Sequence, residues 1–280
     1  MVHRIGLIVT GKEALQDFTL FVRTLEQWHP DAELFVYTDS ETTCTGVATK
    51  ATVHVRVELD RYKGLSRSQM ERTRGVVYDS LFKDYTYEKA GVLEWMFSVA
   101  PAEPAWFMDA DISHLAPLPE IPATAVLGLS QHMIRPGDEA RYGRYNAGFM
   151  WFRSGDMLGR WRELGHTSRF YEQAALEGLA AAAAATAGGL HEFPPQVNFG
   201  WWRMQQSSVP QAVIQSRFSL FRSDNSVGIR YDGKPLQSIH THWFSSSAEC
   251  VAFRKWFDEF TRPYKSHKPI AGYRRLIGLA

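Results

Sequence analysis

Asp109 and Asp111 stand one residue apart behind the apolar run Ala105-Trp106-Phe107-Met108. In an extended chain, residues i and i+2 point to the same side, about 6.5–7 Å apart along the backbone. Two carboxylates so placed repel each other unless a cation lies between or beside them. Carboxylate oxygens suit Mg²⁺ or Mn²⁺, ions that keep open positions for water or phosphate oxygens. A divalent ion holding a diphosphate neutralises charge on a leaving group, so the chemistry that fits is departure of a nucleoside diphosphate. A bare D-x-D is more often a turn in which one Asp caps the next segment. The strongly apolar strand in front of this one, at mid-chain, favours the metal.

Such a pair has to be delivered by a sheet, and the first half of the chain alternates strands and helices. Residues 3–10 read as a buried strand, and 12–28 as a helix with Leu15, Phe18, Phe21 and Leu25 near its inner face. Residues 33–38 make a second strand ending in Thr38-Asp39, and 53–59 alternate with period two. Ser66 followed by Gln69 has the spacing of a capping box for a helix to about residue 82. A further helix spans about 86–99, stops before Pro101, and leads into the strand 105–108. This alternation predicts an α/β layer fold with a mostly parallel sheet, where ligands lie beyond the carboxyl ends of strands. Asp39, Asp109 and Asp111 all fall at such ends.

The second half is less regular. Strands over 125–130 and 147–152 flank an Arg/Gly/Tyr-rich loop, 135–146, and helices cover about 155–164 and 169–187. The second of these is Ala-rich and stopped by Gly188-Gly189. A Pro- and aromatic-rich passage, 193–204, precedes a strand at 236–239 that runs into His240-Thr241-His242-Trp243.

The 280 residues are 45% apolar, enough for one large core or two fused lobes. A net charge of +1 gives no reason to expect nucleic acid. Cys44 and Cys250 fit no metal or redox spacing and read as plain thiols, which suits a reducing compartment, the alternative being one long-range disulfide. The apolar run 5–9 is too short for a secretory signal, and the Ala-rich run too short to span a bilayer, so a cytoplasmic protein is expected. The C-terminus is basic through Arg254, Lys255, Arg262, Lys265, Lys268, Arg274 and Arg275. Its plain meaning is a solvated surface; the sharper alternative is docking to an anionic membrane or partner. The sequence fixes no oligomeric state.

With these segments in view, the sequence resembles GT-A glycosyltransferases, in particular the glycogenin-like and related nucleotide-diphospho-sugar transferases. WFMDADISHLAPLP (106–119) resembles their D-x-D segment, and YNAGFMWFRSGDML (145–158) the N-[ST]-G segment that follows, with Asn146-Ala147-Gly148 in place. YEQAALEGL (171–179) resembles their D-Q-x-x-(L/F)-N segment, and SIHTHWF (238–244) the late histidine that completes a metal site. The four come in the family order over roughly residues 1–250.

The resemblance implies a GT-A fold over 1–250, with a nucleotide-sugar half (1–119) and an acceptor half (120–250), followed by a basic helical extension over 251–280. It makes Asp109 and Asp111 metal ligands, with Asp109 and Ala110 also against the donor. His240 becomes the third ligand, and His242 stands on the same side of an extended chain, so either could bind. An imidazole beside two carboxylates suits Mn²⁺ somewhat better than Mg²⁺. Thr10 and Asp39 match positions that touch the base, and an Asp accepting from uracil N3–H favours UDP; the plain alternative for Asp39 is a turn. Lys89 and Arg72 match cations facing the donor, against a plain reading as exposed helix charge. Asn146 and Gln173 are implied to hydrogen-bond the transferred sugar. Glu172 would be the general base of an inverting enzyme or support the sugar in a retaining one. Glu172-Gln173, standing where retaining relatives have Asp-Gln, tips the balance to retention. Trp201 or Trp202 would line the acceptor cleft, although paired Trp residues are more often core.

The departures are specific. Relatives follow the histidine with G-x-x-K-P-W, whose Lys binds the diphosphate, and here Trp243-Phe244 and a serine run over 245–247 follow. The diphosphate is left to those serines, to backbone N–H groups or to the Arg-rich loop Arg135–Arg144. The implied activity is metal-dependent transfer of a monosaccharide from a UDP-linked donor to a hydroxyl of a glycan or glycoconjugate. A sugar-1-phosphate nucleotidyltransferase would carry a Gly-rich basic loop after the first strand, which Val9-Thr10-Gly11-Lys12 matches poorly. A haloacid-dehalogenase-type phosphatase carries its Asp pair on that first strand. A non-catalytic, lectin-like protein would be free to lose the metal ligands, and all three are present.

Overall fold

The computed structural model describes residues 2–223 and 226–279. The first two strands, β1 (Arg4–Val9) and β2 (Glu33–Thr38), are apolar runs buried on both faces, as strands covered by helices on each side must be. Then come β3 (Thr52–Val57), β4 (Ala105–Met108), β5 (Ile112–His114), β6 (Leu127–Gln131), β7 (Tyr145–Phe152) and β8 (Leu190–Phe193). All but β5 join one sheet in the order β3-β2-β1-β4-β7-β6-β8, in which β7 alone runs against the other six. This is the mixed, mostly parallel sheet flanked by helices expected of a GT-A arrangement.

Period two along β4 sorts its side chains between the two faces. Trp106 and Met108 join the core under the helix Gly11–Leu25, with Phe18, Phe21 and Val22. Phe107 joins the opposite core under the helix Glu88–Val99, with Val92, Leu93 and Met96. That second helix lies so close to β1 that a Cβ on Gly6 would come within 2.9 Å of Met96 Sδ and 3.0 Å of Val92 Cγ1.

A smaller sheet carries the late histidine. Its strands are β9 (Phe199–Gly200), β5 and β13 (Ser238–His240); β13 pairs antiparallel with β5 and parallel with β9. Between them in sequence, β10 (Phe218–Leu220), β11 (Ile229–Tyr231) and β12 (Lys234–Pro235) form a separate meander. The helices Ala248–Thr261 and Lys268–Leu276 close over both, and Phe253, Phe257, Ile270 and Tyr273 complete a third core with Leu115, Phe199, Ile239 and Trp243. The expected boundary at residue 250 falls inside the first of these helices. Cys44 and Cys250 are both buried free thiols.

Several expected elements are broken where the chain has local reasons. The helix expected over 66–82 is two short ones. Arg67–Arg72 is started by the Ser66/Gln69 capping box, and Leu81–Thr86 by Ser80. Between them the Asp84 carboxylate accepts from the N–H groups of Val76, Val77 and Tyr78, which holds that loop out of helix. The helix expected over 169–187 shrinks to Leu176–Ala184, because Tyr171 has a left-handed backbone, φ +40°. Gln173 therefore lies on a loop, not at a helix start. The loop 135–146 contains a helix, Pro136–Tyr142, with proline in its first turn.

Candidate active site

β4 ends at Met108, and the Asp109 N–H extends the ladder by one bond to Gly148 O of β7, 2.8 Å. The chain then turns through Ala110 and Asp111 and returns as β5. The Asp pair thus sits on a tight turn rather than on extended chain, which corrects the spacing argument made from sequence. The register of β13 on β5 sets His240 opposite Ile112, and the Thr241 N–H donates to Asp111 O at 3.1 Å. Ligand atoms of Asp109, Asp111 and His240 consequently lie within 4.8 Å of one another. His240 Nε2 is 3.1 Å from Asp111 Oδ1 and 3.7 Å from Asp109 Oδ2. Two carboxylates and one imidazole on a common centre are a donor set that fits a divalent ion with positions left for a ligand.

Gly148 is the residue that lets them meet. A Cβ there would strike both Asp109 Oδ2 and His240 Cε1, so the glycine of Asn146-Ala147-Gly148 is dictated by close approach rather than by backbone freedom.

The two histidines part company. His240 is buried, while the His242 side chain is 56% exposed and its Nδ1 lies 2.7 Å from Asp17 Oδ2, with Nε2 3.5 Å from Asp111 Oδ2. The negative charge of Asp111, then the hydrogen bond to Asp17, raises the His242 pKa to about 10. Burial pushes Asp17 upward, partly countered by that bond. Asp111 is pushed up by burial but held well below the carboxylate range by its contacts with His240 and His242.

Lys89 projects from the helix Glu88–Val99 into the floor of the site. Its Nζ is 3.1 Å from Asp109 Oδ1, 3.0 Å from Glu172 Oε1 and 3.2 Å from Ala147 O. Burial works against its charge, yet the two carboxylates outweigh burial and raise its pKa. Glu172 is also fixed through its backbone, whose carbonyl accepts from Trp161 Nε1 at 2.9 Å. Gln173 Nε2 donates to Tyr142 O at 2.9 Å, and its Oε1 faces the Ala147 N–H at 3.5 Å.

These groups line a cleft of about 450 Å³, together with Trp201, Trp202 and the rings of Phe82 and Tyr85. A second lobe of about 740 Å³ adjoins it, bordered by Thr10, Tyr62, Leu65, Met70, Ser245 and Ser247. Trp202 does double duty as wall and packing, its ring edge-on to His240 at 4.8 Å. Arg67 reaches both lobes, with its guanidinium 4.7 Å from the centre of the Phe82 ring and 5.5 Å from that of Tyr171.

Other residues singled out in the sequence lie elsewhere. Arg72 is exposed and not among the lining residues of either lobe; Arg67, on the same helix, is. Asp39 is 2% exposed with both oxygens engaged: Oδ2 accepts from Gly11 N–H and Thr42 Oγ1, and Oδ1 from Glu41 N–H. Burial pushes its pKa up, but these bonds prevail and hold it low. Asn146 is buried behind the metal ligands, and the 135–144 loop does not line the cleft. Asp17, Arg67 and Tyr85 escaped the sequence reading. Asp17 had a signal, being a carboxylate next to Phe18 on the inner face of its helix, where an unpaired charge is costly.

No family model and no curated protein matches the sequence. Among solved structures the chain is similar to the galactosyltransferase LgtC in complex with donor and acceptor sugar analogues. That likeness has 14% identity and a TM-score of 0.48, over 93% of this chain and 95% of that one. It is also similar to an active-site mutant of LgtC, with 13% identity and a TM-score of 0.47, over 92% and 96% of the two chains. Among the described residues, no helix is long and apolar enough to cross a membrane.

Proposed function

We propose that this chain is a metal-dependent glycosyltransferase that moves a monosaccharide from a UDP-linked donor to a hydroxyl of a carbohydrate acceptor. The observation that carries the reading is the convergence of Asp109, Asp111 and His240 on one centre, with the buried Lys89–Glu172 pair beside it, in one cleft. A divalent ion held by those three ligands would neutralise negative charge on the departing diphosphate. Arg67 and His242 supply positive charge at the cleft, and Ser245 and Ser247 supply hydroxyls, where the family's lysine is missing. Trp201, the less buried of the Trp pair, offers an aromatic face to an acceptor sugar.

Glu172 is read as a support for the sugar rather than as a base. One of its oxygens is held by Lys89, so a fixed negative charge faces the cleft where positive charge develops on the anomeric carbon. That reading agrees with retention, and proton NMR of the first-formed product tests it: an anomer opposite to that of the donor would overturn it.

The metal assignment is tested by calorimetry with UDP, with and without Mn²⁺. Wild type should bind UDP tightly only with Mn²⁺, and a folded Asp111→Ala should lose the dependence. Equal UDP affinity in all four measurements would sink the assignment.

A further inference from the structure

Behind the metal ligands lies a chain of hydrogen bonds whose direction is set by a group that can only donate. The Gly148 N–H points at Asn146 Oδ1, 3.1 Å away, so that atom is the carbonyl oxygen of the amide. The same oxygen meets the side-chain amide of Asn198 at 3.2 Å, which must therefore present its nitrogen; Nδ2 also reaches Ser130 Oγ at 3.2 Å. The other end of Asn198 is then its oxygen, and this faces His240 Nδ1 at 3.2 Å. An oxygen there requires a proton on Nδ1, which in the neutral ring leaves Nε2 to offer its lone pair to the centre between Asp109 and Asp111. Asn198 is fully buried, and its backbone carbonyl is clamped by the Arg203 guanidinium, so the amide has little freedom to turn.

We infer that Asn146 and Asn198 form a polarity relay that presents His240 Nε2 as a metal ligand, with Asn198 the positioning residue in contact with the ring. The inference rests on the metal reading above and gives Asn146 a role independent of any sugar contact. Orienting partners of this kind are typically worth about 10- to 100-fold in metal affinity.

The test uses Mn²⁺ alone, without nucleotide, followed by the loss of the free-ion electron paramagnetic resonance signal. Asn198→Leu removes the acceptor and should weaken Mn²⁺ binding about 10- to 100-fold. Asn146→Asp keeps an acceptor oxygen for both N–H groups and should retain the affinity, whereas Asn146→Leu should lose it. The two Asn146 variants decide the matter even if Asn198→Leu does not fold. A purely structural role would lower the melting temperature without changing which ring nitrogen binds. In Zn²⁺-loaded protein labelled with nitrogen-15 histidine, a long-range ring spectrum should show His240 protonated at Nδ1 and bound through Nε2, with that pattern lost in the leucine variants. Unchanged Mn²⁺ affinity and ring pattern in folded leucine variants would overturn the relay. A wild type that binds no Mn²⁺, or an Asp111→Ala that binds it equally, would instead overturn the metal site on which the relay depends.

Discussion

Gly148 is the most exacting single position in the site. Its hydrogen occupies the space where Asp109 and His240 come together, and its N–H orients Asn146. Gly148→Ala leaves the strand itself intact, since alanine is tolerated in extended chain, but pushes apart two ligands that must share one ion. The expected outcome is a near-native far-UV circular dichroism spectrum with Mn²⁺ binding weakened by at least about tenfold, on the scale of a lost orienting contact. Wild-type Mn²⁺ affinity in this variant would mean that the ligands close on the ion from another direction. Lys89 is as tightly placed but differs in kind: an ammonium shared by two carboxylates and a carbonyl, its charge sustained by its neighbours.

The elements that were legible in the sequence are those long enough to show a period or carrying a cap. β1, β2 and β4 declare themselves by apolar runs, and Ser66 with Gln69 by the capping box. The turn at Ala110 and the strands β5 and β9, only two or three residues long, do not, because no periodicity can be seen over so few residues; the strand expected at 236–239 overlaps β13, but nothing in it names β5 as its partner. Yet it is the β5–β13 pairing that brings His240 to Asp111. The Asp pair and its histidine could thus be named from spacing and resemblance, while Arg67 and Asn198, which arrive by tertiary register, could not. β5 also carries a liability. His114 on this strand is fully buried against Phe21, with both ring nitrogens lacking partners among the described residues. Burial first, then the neighbouring His29 and His3, lowers its pKa to about 3, and burial lowers that of His29 to about 4. Above the unfolded value near 6.5 both states are neutral and nothing is lost. As pH falls below it the unfolded chain takes up protons that the folded one refuses, so stability declines towards pH 3–4. His114 alone should account for about 2 kcal/mol between pH 7 and 5. Urea unfolding at the two pH values checks this, and His114→Phe should reduce the difference by about that amount, leaving the part due to His29.

The whole molecule is arranged so that its C-terminal third finishes what its first half begins. Ser113, two residues past Asp111, shares a 2.6 Å hydrogen bond with Tyr273 Oη and accepts from Trp243 Nε1 at 3.0 Å. The helices Ala248–Thr261 and Lys268–Leu276 thus help build the floor of the small sheet and share its core. This connectivity has a consequence in time. The contact between β5 and β13 joins residues 126 positions apart, among the costliest loops to close in the chain. The large sheet can collapse around β1, β2 and β4 while Asp109 and Asp111 still face water without their histidine. Cation capture is then a late event, gated by docking of the last strand rather than by the first collapse. In stopped-flow refolding with Mn²⁺ present, uptake of the ion should lag behind the far-UV signal. A ribosome-bound chain ending before residue 238 should fold much of its sheet and hold no metal.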